Sequence, residues 1–403
     1  MQSLIIPTAK VKAKRPFHIL AKPVGPLCNL DCEYCFYLDK SEYYPETKRF
    51  DMSLETLEAH VKNYIESQPA GCREVTFGWQ GGEPTMRGID FYRHAVALQN
   101  KYRRSGMAIV NTIQTNGVLL NEEWAQFLKQ HRFLVGISID GDEELHDHYR
   151  KTRRGLGSYQ QVIRGLRVLQ KYQVETNILT VIQNHNGDFG KRVYQHLKAL
   201  GAQFIQFIPI VEPVKGEGVS SRSVSPKQFG QFMIDVFDEW RKHDIGQVFV
   251  SHFDNALGMH LGMPSSICVH APQCGDNLVM EHNGDVYSCD HFVYPEFKVG
   301  NLTQQEYPDL IETKVQQQFS NRKPIGTQHH CLGCSQRSLC HGACPAQRID
   351  SNGELSLTAK HYLCEGYYEF FAYLRPYLDA MGHCIRRNIS PAFYPKFLNR
   401  RSD

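Results

Sequence analysis

Cys28-Asn29-Leu30-Asp31-Cys32-Glu33-Tyr34-Cys35-Phe36-Tyr37 decides how the rest of the chain is read. Three cysteines fall within eight residues at a C-x3-C-x2-C spacing, just after a Gly25-Pro26 turn. Three thiolates this close can hold a metal ion or an iron–sulfur cluster. A four-iron cubane takes four ligands, so three leave one iron open, and open iron points to chemistry rather than to storage of an electron.

Outward from that loop the pattern is alternating strand and helix. Phe17 to Ala21 reads as a first strand ending at the cysteines. Ser53 can cap a helix with Leu54, Leu57, Val61, Tyr64 and Ile65 on one face. Val75 to Trp79 is a strand closed by Gly81-Gly82-Glu83-Pro84, and Phe91 to Tyr102 a helix. Ala108 to Gln114 is a strand ending at Thr115-Asn116-Gly117, followed by a helix over Glu122 to Gln130 and a strand over Phe133 to Ile139 ending at Asp140-Gly141. The same alternation gives a helix at Tyr159 to Lys171, a strand at Thr176 to Ile182, a helix at Phe189 to Leu200 and a strand at Phe204 to Ile208. The aromatic stripe Phe229, Phe232, Phe237 and Trp240 marks a closing amphipathic helix and reads as core. His146 and His148 straddle Asp147 in what reads as a solvated or hydrogen-bonded loop.

Six strand–helix repeats predict parallel strands with right-handed crossovers. A doubly wound sheet and a barrel both fit. Six units are too few for a closed eight-stranded barrel, so an open, partial (β/α)6 barrel is preferred. Polar and glycine signals recur at the C-terminal ends of the strands, where parallel α/β folds build their sites.

After Gln247 the alternation stops. Asn277 to Glu281 and Asp285 to Tyr287 flank His282-Asn283-Gly284, a hairpin signal. Ser320 to Gln328 reads as a loop, Tyr362 to Leu378 as a helix, and the basic tail beyond Arg386 as loosely held. The expected organisation is an N-terminal extension (1–16), the α/β part (17–246), a cysteine-rich part (247–371) and a helix end with tail (372–403).

The chain of 403 residues carries 45 basic and 42 acidic side chains, a net +3, which argues against a dedicated nucleic-acid surface. The basic start, Lys10 to Arg15, reads as a solvated segment. No apolar run reaches membrane-spanning length and no secretory segment opens the sequence, so a cytoplasmic, reducing setting is expected. There, 13 cysteines call for metal binding rather than disulfides. Only Cys72 and Cys384 stand apart from the clusters, as small structural or incidental residues.

The cysteine loop followed by Phe36-Tyr37 resembles the signature of radical S-adenosylmethionine (SAM) enzymes. The resemblance implies that Cys28, Cys32 and Cys35 hold a 4Fe–4S cluster whose open iron is chelated by SAM. Reductive cleavage of SAM then gives a 5′-deoxyadenosyl radical that abstracts hydrogen from substrate. Gly82 and Glu83, in a motif similar to the family's GGEP, would meet the SAM amino group. Ser138 and Arg150 would meet its ribose and carboxylate, and the Tyr37 backbone its adenine.

The later cysteines run Cys268-x5-Cys274-x14-Cys289, then Cys331-x2-Cys334-x5-Cys340-x3-Cys344-x19-Cys364. Spacing alone leaves two structural zinc sites open. The pattern resembles the SPASM domain, which carries two auxiliary 4Fe–4S clusters, for three clusters in all. By that resemblance Cys268, Cys274, Cys289 and Cys344 ligate the first, and Cys331, Cys334, Cys340 and Cys364 the second.

Within that group the chain is similar to the anaerobic sulfatase-maturating enzymes. The likeness rests on Cys28 through Tyr37, Trp79-Gln80-Gly81-Gly82-Glu83-Pro84, Gln114-Thr115-Asn116-Gly117, Gln206-Phe207-Ile208-Pro209 and Asn283 through His291. It implies oxidation of a cysteine or serine, in a C/S-x-P/A-x-R segment of a sulfatase, to Cα-formylglycine. Asp290 would take the thiol or hydroxyl proton, the second electron would leave through the adjoining auxiliary cluster, and Gln80 and Gln114 would contact the peptide. A flavodoxin- or ferredoxin-type donor and a monomeric enzyme are expected. The rivals are another SPASM maturase, which crosslinks or oxidises a different peptide, and a pure electron-transfer protein. The first often needs an N-terminal recognition domain, for which about sixteen residues before the first strand leave no room; the second is disfavoured by the open-iron triad.

Overall fold

The computed structural model describes residues 11–47 and 49–398. The first ten residues of the expected N-terminal extension, and the last five of the tail, lie outside the described residues.

Local signals start the elements. β1 (His18–Ala21) leads into the cysteine loop, and α1 (Leu54–Ser67) begins where the Ser53 side chain accepts a hydrogen bond from the Thr56 amide at 3.1 Å. β2 (Glu74–Trp79), α2 (Ile89–Tyr102) and β3 (Ala108–Thr115) follow. α3 (Glu122–Gln130) is capped by Asn121, and β4 (Leu134–Ser138) leads to α4 (Glu143–Tyr149), capped by Asp142. Then come α5 (Tyr159–Lys171), β5 (Glu175–Ile182), α6 (Gly190–Ala199) and β6 (Phe204–Pro209). A small hairpin, β7 (Pro213–Val214) with β8 (Gly218–Val219), precedes α7 (Pro226–His243), which opens on a Ser225–Gln228 capping box.

β1 to β6 lie side by side in chain order, every neighbouring pair parallel. Strand order that never reverses is the winding of a barrel, and a doubly wound sheet would switch direction. The partial (β/α)6 barrel is therefore the fold. The sheet continues at both edges. β9 (Phe249–Val250) pairs parallel with β6 and leads into α8 (Ser251–His260). β10 (Asn277–Met280) pairs parallel with β1, and β11 (Asp285–Tyr287) and β12 (Lys298–Asn301) extend it antiparallel. Gly284, at φ +87°, makes the β10–β11 turn. The hairpin of the cysteine-rich half is thus an outer edge of the barrel sheet, and its loops arrive beside the end of β1.

Helices α9 (Tyr307–Ile311), α10 (Lys314–Ser320), α11 (Arg322–His330) and α12 (Arg337–Cys340) carry the chain to the second run of cysteines. α13 (Cys364–Arg386) then packs along α7, with Phe229, Phe370 and Tyr367 buried between layers. The stripe Phe229 to Trp240 is core.

Three sequence expectations are corrected. Residues 143–149 are helix rather than loop: Asp142 caps them and His146 is fully buried against Ser158. The expected loop Ser320 to Gln328 is helical, spanning the end of α10 and most of α11. Its pattern is weakly amphipathic, and distant contacts hold it: Lys323 donates to three carbonyls of the Cys268 loop, and Arg322 lies over Phe292 and Phe297. The tail beyond Arg386 is packed through Leu398, with Tyr394 buried and accepting from Arg241 Nη1 at 3.0 Å.

Candidate active site

The cysteine loop is clamped on two sides. Gly82 donates its amide to Gly25 O at 2.8 Å, and Glu83 donates to Leu27 O at 2.8 Å. A Cβ on Gly82 would stand 2.0 Å from the Leu27 carbonyl oxygen, so the close approach needs glycine. On the far side Asp31 donates to Lys151 O at 2.8 Å and Glu33 to Tyr149 O at 3.1 Å. The loop is therefore fixed between the end of β2 and the segment after α4.

Within it the three thiols lie close enough for their charges to be felt by one another. Burial pushes Cys28 to about 11 and Cys32 to about 12, with mutual repulsion adding to both, and burial likewise raises Cys35. Buried thiols of this kind stay protonated unless a cation draws off the proton. Asn116, part of the Gln114-Thr115-Asn116-Gly117 stretch but not foreseen as a site residue, points its Nδ2 at Cys28 Sγ (3.6 Å) and Asn29 Oδ1 (2.8 Å).

Glu83 is wholly buried, at 0% exposure, and saturated. Its carboxylate accepts from the Thr85 amide (3.0 Å), Thr115 Oγ1 (2.7 Å) and the Asn116 amide (2.7 Å), as well as Thr85 Oγ1. Burial lifts its carboxyl above the ordinary value while these donors hold it back. The carboxylate ties the end of β2 to the end of β3 and so fixes the backbone of Gly82. Arg150 is buried in a two-point pair with Asp140, Nε to Oδ2 at 2.8 Å and Nη2 to Oδ1 at 3.2 Å. That uses two of its five N–H donors. Tyr34 donates to the same Asp140 carboxylate. Gln114 and Ser138 are brought together, Nε2 to Oγ at 3.0 Å. Gly136 leaves the space for that reach, since a Cβ there would fall 2.0 Å from Gln114 Oε1. Gln80, half-buried, donates its amide to Ala21 O at 2.9 Å.

Asp290 follows Cys289 at the end of the β10–β11 hairpin. It pairs with Lys22, the residue after β1, which is 1% exposed. Burial works to raise the Asp290 carboxyl, but the Lys22 ammonium, with His291, outweighs it and holds the group below its ordinary value. Lys22 Nζ also lies 3.2 Å from the centre of the Tyr37 ring, and Tyr37 donates to the buried Glu281. Sequence reasoning missed Lys22 and Glu281. The only signal available was a lysine and a glutamate at strand ends that the pairing of β1 with β10 later joins.

The eight later cysteines sort into two groups. Cys268, Cys274, Cys289 and Cys344 line one cavity of about 290 Å³. Cys331, Cys334, Cys340 and Cys364 line a second, of about 30 Å³, together with Arg348, Lys360 and His361. Cys344 thus lines the first cavity, although Cys340, four residues before it, lines the second. Among the described residues no three His, Cys, Asp or Glu side chains converge on a single-ion point. The thiols ring cavities instead, and a four-iron cubane in the smaller one requires its cysteine side chains to turn outward. The donor set suits such a group: around the first cavity Lys323 is buried among backbone carbonyls, and Ser288 Oγ and His252 Nδ1 are buried without a partner. Burial pushes Cys344 and Cys340 to about 12 and Cys289 well above its ordinary value. Cys72, which donates to Glu74 O at 3.0 Å, and Cys384, buried in α13, belong to neither group.

Residues 23–193 match the family model described as the Radical SAM superfamily, and residues 268–335 that of an iron-sulfur cluster-binding domain, SPASM. The chain is 40% identical over 401 residues to a serine-type anaerobic sulfatase-maturating enzyme of Bacteroides thetaiotaomicron, covering 95% of each chain. It is 36% identical over 360 residues to a cysteine-type anaerobic sulfatase-maturating enzyme of Clostridium novyi, covering 88% of this chain and 94% of that one. The solved structure of native anSMEcpe with bound AdoMet and Cp18Cys peptide matches with a TM-score of 0.82 at 34% identity, covering 91% of this chain and 99% of that one.

Proposed function

From the premise that the chain belongs to the anaerobic sulfatase-maturating enzymes, radical SAM enzymes with a SPASM domain, we propose that it oxidises a serine or cysteine in a C/S-x-P/A-x-R segment of a sulfatase to Cα-formylglycine. The observation that carries the reading is the meeting of the two halves at Asp290. Its carboxylate adjoins Cys289 and pairs with Lys22, six residues before Cys28.

Cys28, Cys32 and Cys35 would hold a 4Fe–4S cluster with SAM, and the two four-cysteine sets two more; when bound, these groups supply the 5′-deoxyadenosyl radical for the substrate Cβ hydrogen and an acceptor for the second electron. The chain's own residues do the rest. The Gly82 backbone receives the SAM amino group; Glu83, expected from the resemblance to meet that group as well, is given instead the role of fixing Gly82, because four donors already occupy its carboxylate. Ser138 meets the ribose, the Tyr37 backbone the adenine, and the N–H groups of Arg150 not used by Asp140 the carboxylate. Gln80 and Gln114 orient the peptide. Asp290 takes the proton from the substrate Oγ or Sγ, and Lys22 holds that carboxylate ionised and aimed. A serine then gives the aldehyde directly, and a cysteine a thioaldehyde that water hydrolyses. A flavodoxin- or ferredoxin-type protein donates the first electron to the enzyme, acting as a monomer.

Mass spectrometry of short sulfatase peptides after anaerobic incubation tests the reading. The serine peptide should lose two hydrogens and the cysteine peptide exchange the elements of hydrogen sulfide for one oxygen, each product forming a hydrazone. A two-hydrogen loss with no hydrazone would favour the crosslinking rival. Asp290→Asn should spare SAM cleavage and cut aldehyde formation by about 10²–10⁴. Unchanged product would discard Asp290 as the base.

A further inference from the structure

The smaller cysteine cavity is lined by two polar side chains, each with a buried N–H that neither the described residues nor the proposed chemistry engages. Arg348 is 0% exposed. It donates Nη1 to Ala359 O (2.9 Å) and Nη2 to Gly342 O (3.1 Å), while its Nε is buried with no partner. Among the described residues no carboxylate pairs with it. Gly326 and Gly342 make its berth, since a Cβ on either would fall 2.8 Å from a guanidinium nitrogen. A guanidinium buried without a counter-charge is costly, so the fold holds it there against that cost.

His361 is 4% exposed and lines the same cavity. Its Nδ1 accepts the Leu363 amide hydrogen at 3.1 Å. A ring nitrogen that accepts from a backbone N–H carries no proton, so the imidazole is neutral and its hydrogen sits on Nε2. That Nε2–H is buried and has no partner. The His361 carbonyl in turn accepts the Cys364 amide at 3.0 Å, which ties the ring to one of the four cysteines.

We propose that His361 Nε2–H and Arg348 Nε–H are hydrogen-bond donors to the sulfur of the cluster held by Cys331, Cys334, Cys340 and Cys364, and that they raise its reduction potential. The proposal rests on the reading that these four cysteines hold a 4Fe–4S cluster. Reduction adds negative charge to a group already ringed by thiolates. A fixed N–H dipole and a buried cation stabilise that reduced form over the oxidised one. The same groups gain the partner and the counter-charge that none of the described residues gives them.

The test uses the full chain carrying Cys28→Ala, Cys32→Ala and Cys35→Ala, so that only the later cysteine sets load. Anaerobic reconstitution with iron and sulfide should give about eight irons per chain. An EPR-monitored redox titration should then resolve two midpoints, and Cys331→Ala should remove one signal and thereby identify it. His361→Phe should load fully and lower that midpoint. At the parent protein's midpoint the reduced-to-oxidised ratio should fall about tenfold, a shift of about 59 mV for one electron. His361→Gln, which keeps an N–H, should restore it, and Arg348→Met should move the same signal in the same direction. Full iron with an unmoved midpoint in His361→Phe overturns the proposal. Should Cys331→Ala keep all its iron and both signals, the ligand assignment fails and the tuning falls with it. If His361→Phe does not load, pulsed EPR decides on the unsubstituted ring: histidine-selective 15N labelling should show a nitrogen coupling on the identified signal, and its absence overturns the proposal.

Discussion

In the parallel sheet, the residues around the first cysteine loop are fastened by backbone pairing; around the later cysteines, the fastening is short helices and side chains. The first loop is gripped by the amides of Gly82, Glu83, Asp31 and Glu33. The carboxylate that ties its flanking strand ends together, Glu83, is saturated by four donors. The second set hangs from α11, α12 and the start of α13, and the buried donors beside it, Arg348 Nε and His361 Nε2, have no partner among the described residues. The difference teaches that the barrel site exists as a folding consequence of the sheet. The later sites are completed only by what the cysteines bind, so binding and local folding are coupled there.

Removing iron should break the two regions apart most sharply. Chelation under anaerobic conditions should collapse amide protection across residues 331–364 while β1 to β6 keep theirs, a difference of several kcal/mol in local opening free energy measured by hydrogen exchange. Equal loss in both regions would erase the contrast.

That contrast also explains what the sequence could reveal. The cysteine loop, Gly81-Gly82-Glu83-Pro84 and the strand alternation are local patterns, and each stands at the strand end where it was expected. The two cysteine sets were legible only through resemblance, because spacing has no means of sending Cys344 back past Cys340 to the cavity of Cys268. Lys22 and Glu281 were illegible because their meaning comes from the parallel pairing of Ala21 with Met280, a contact across some 260 residues. α11 was illegible for a related reason: Lys323 and the Cys268 loop stabilise a helix whose own periodicity is weak.

On the barrel side, Gly82→Ala tests whether the grip is as tight as the pairing implies. The new methyl would press on the Leu27 carbonyl, a backbone atom that cannot swing aside. The expected cost is about 1–3 kcal/mol in thermal unfolding, with SAM affinity down at least about tenfold by equilibrium dialysis as the two loops part. Wild-type SAM affinity in a stable Gly82→Ala protein would mean that the close approach is incidental.

A smaller, pH-dependent effect sits at His146 in the barrel half. Burial pushes His146 from an ordinary 6.5 to about 3, and its Nδ1 accepts the Asp140 amide at 3.3 Å. The unfolded chain therefore binds a proton at His146 that the folded chain refuses. This destabilises the fold progressively as pH drops below about 6.5, at up to about 1.4 kcal/mol per pH unit, and has no effect above it. His146→Asn keeps an acceptor near the Nδ1 position and removes the titration. Denaturant unfolding between about pH 6.5 and 5 should show a correspondingly flatter slope in the variant, while amide protection around Cys331 stays on the parent's profile.

The smallest expected change lies at Gly136. A Cβ there would fall 2.0 Å from Gln114 Oε1, the free end of a flexible side chain, so the amide can move where the Leu27 carbonyl cannot. Gly136→Ala should leave stability within about 1 kcal/mol, because the atoms in its way, Gln114 Oε1 and the Leu179 Cδ1 methyl at 3.0 Å, are the free ends of flexible side chains. It should also break the Gln114–Ser138 hydrogen bond, since the amide must swing off the β4 surface to clear the methyl. If Gln114 orients the peptide, KM for the sulfatase peptide should rise a few-fold, equivalent to about 1 kcal/mol, with SAM cleavage in the absence of peptide unchanged. If Ser138 instead depends on Gln114 to meet the ribose, the same variant should weaken SAM binding and leave the peptide KM alone. The split between the two readouts tells which ligand this pair of side chains serves.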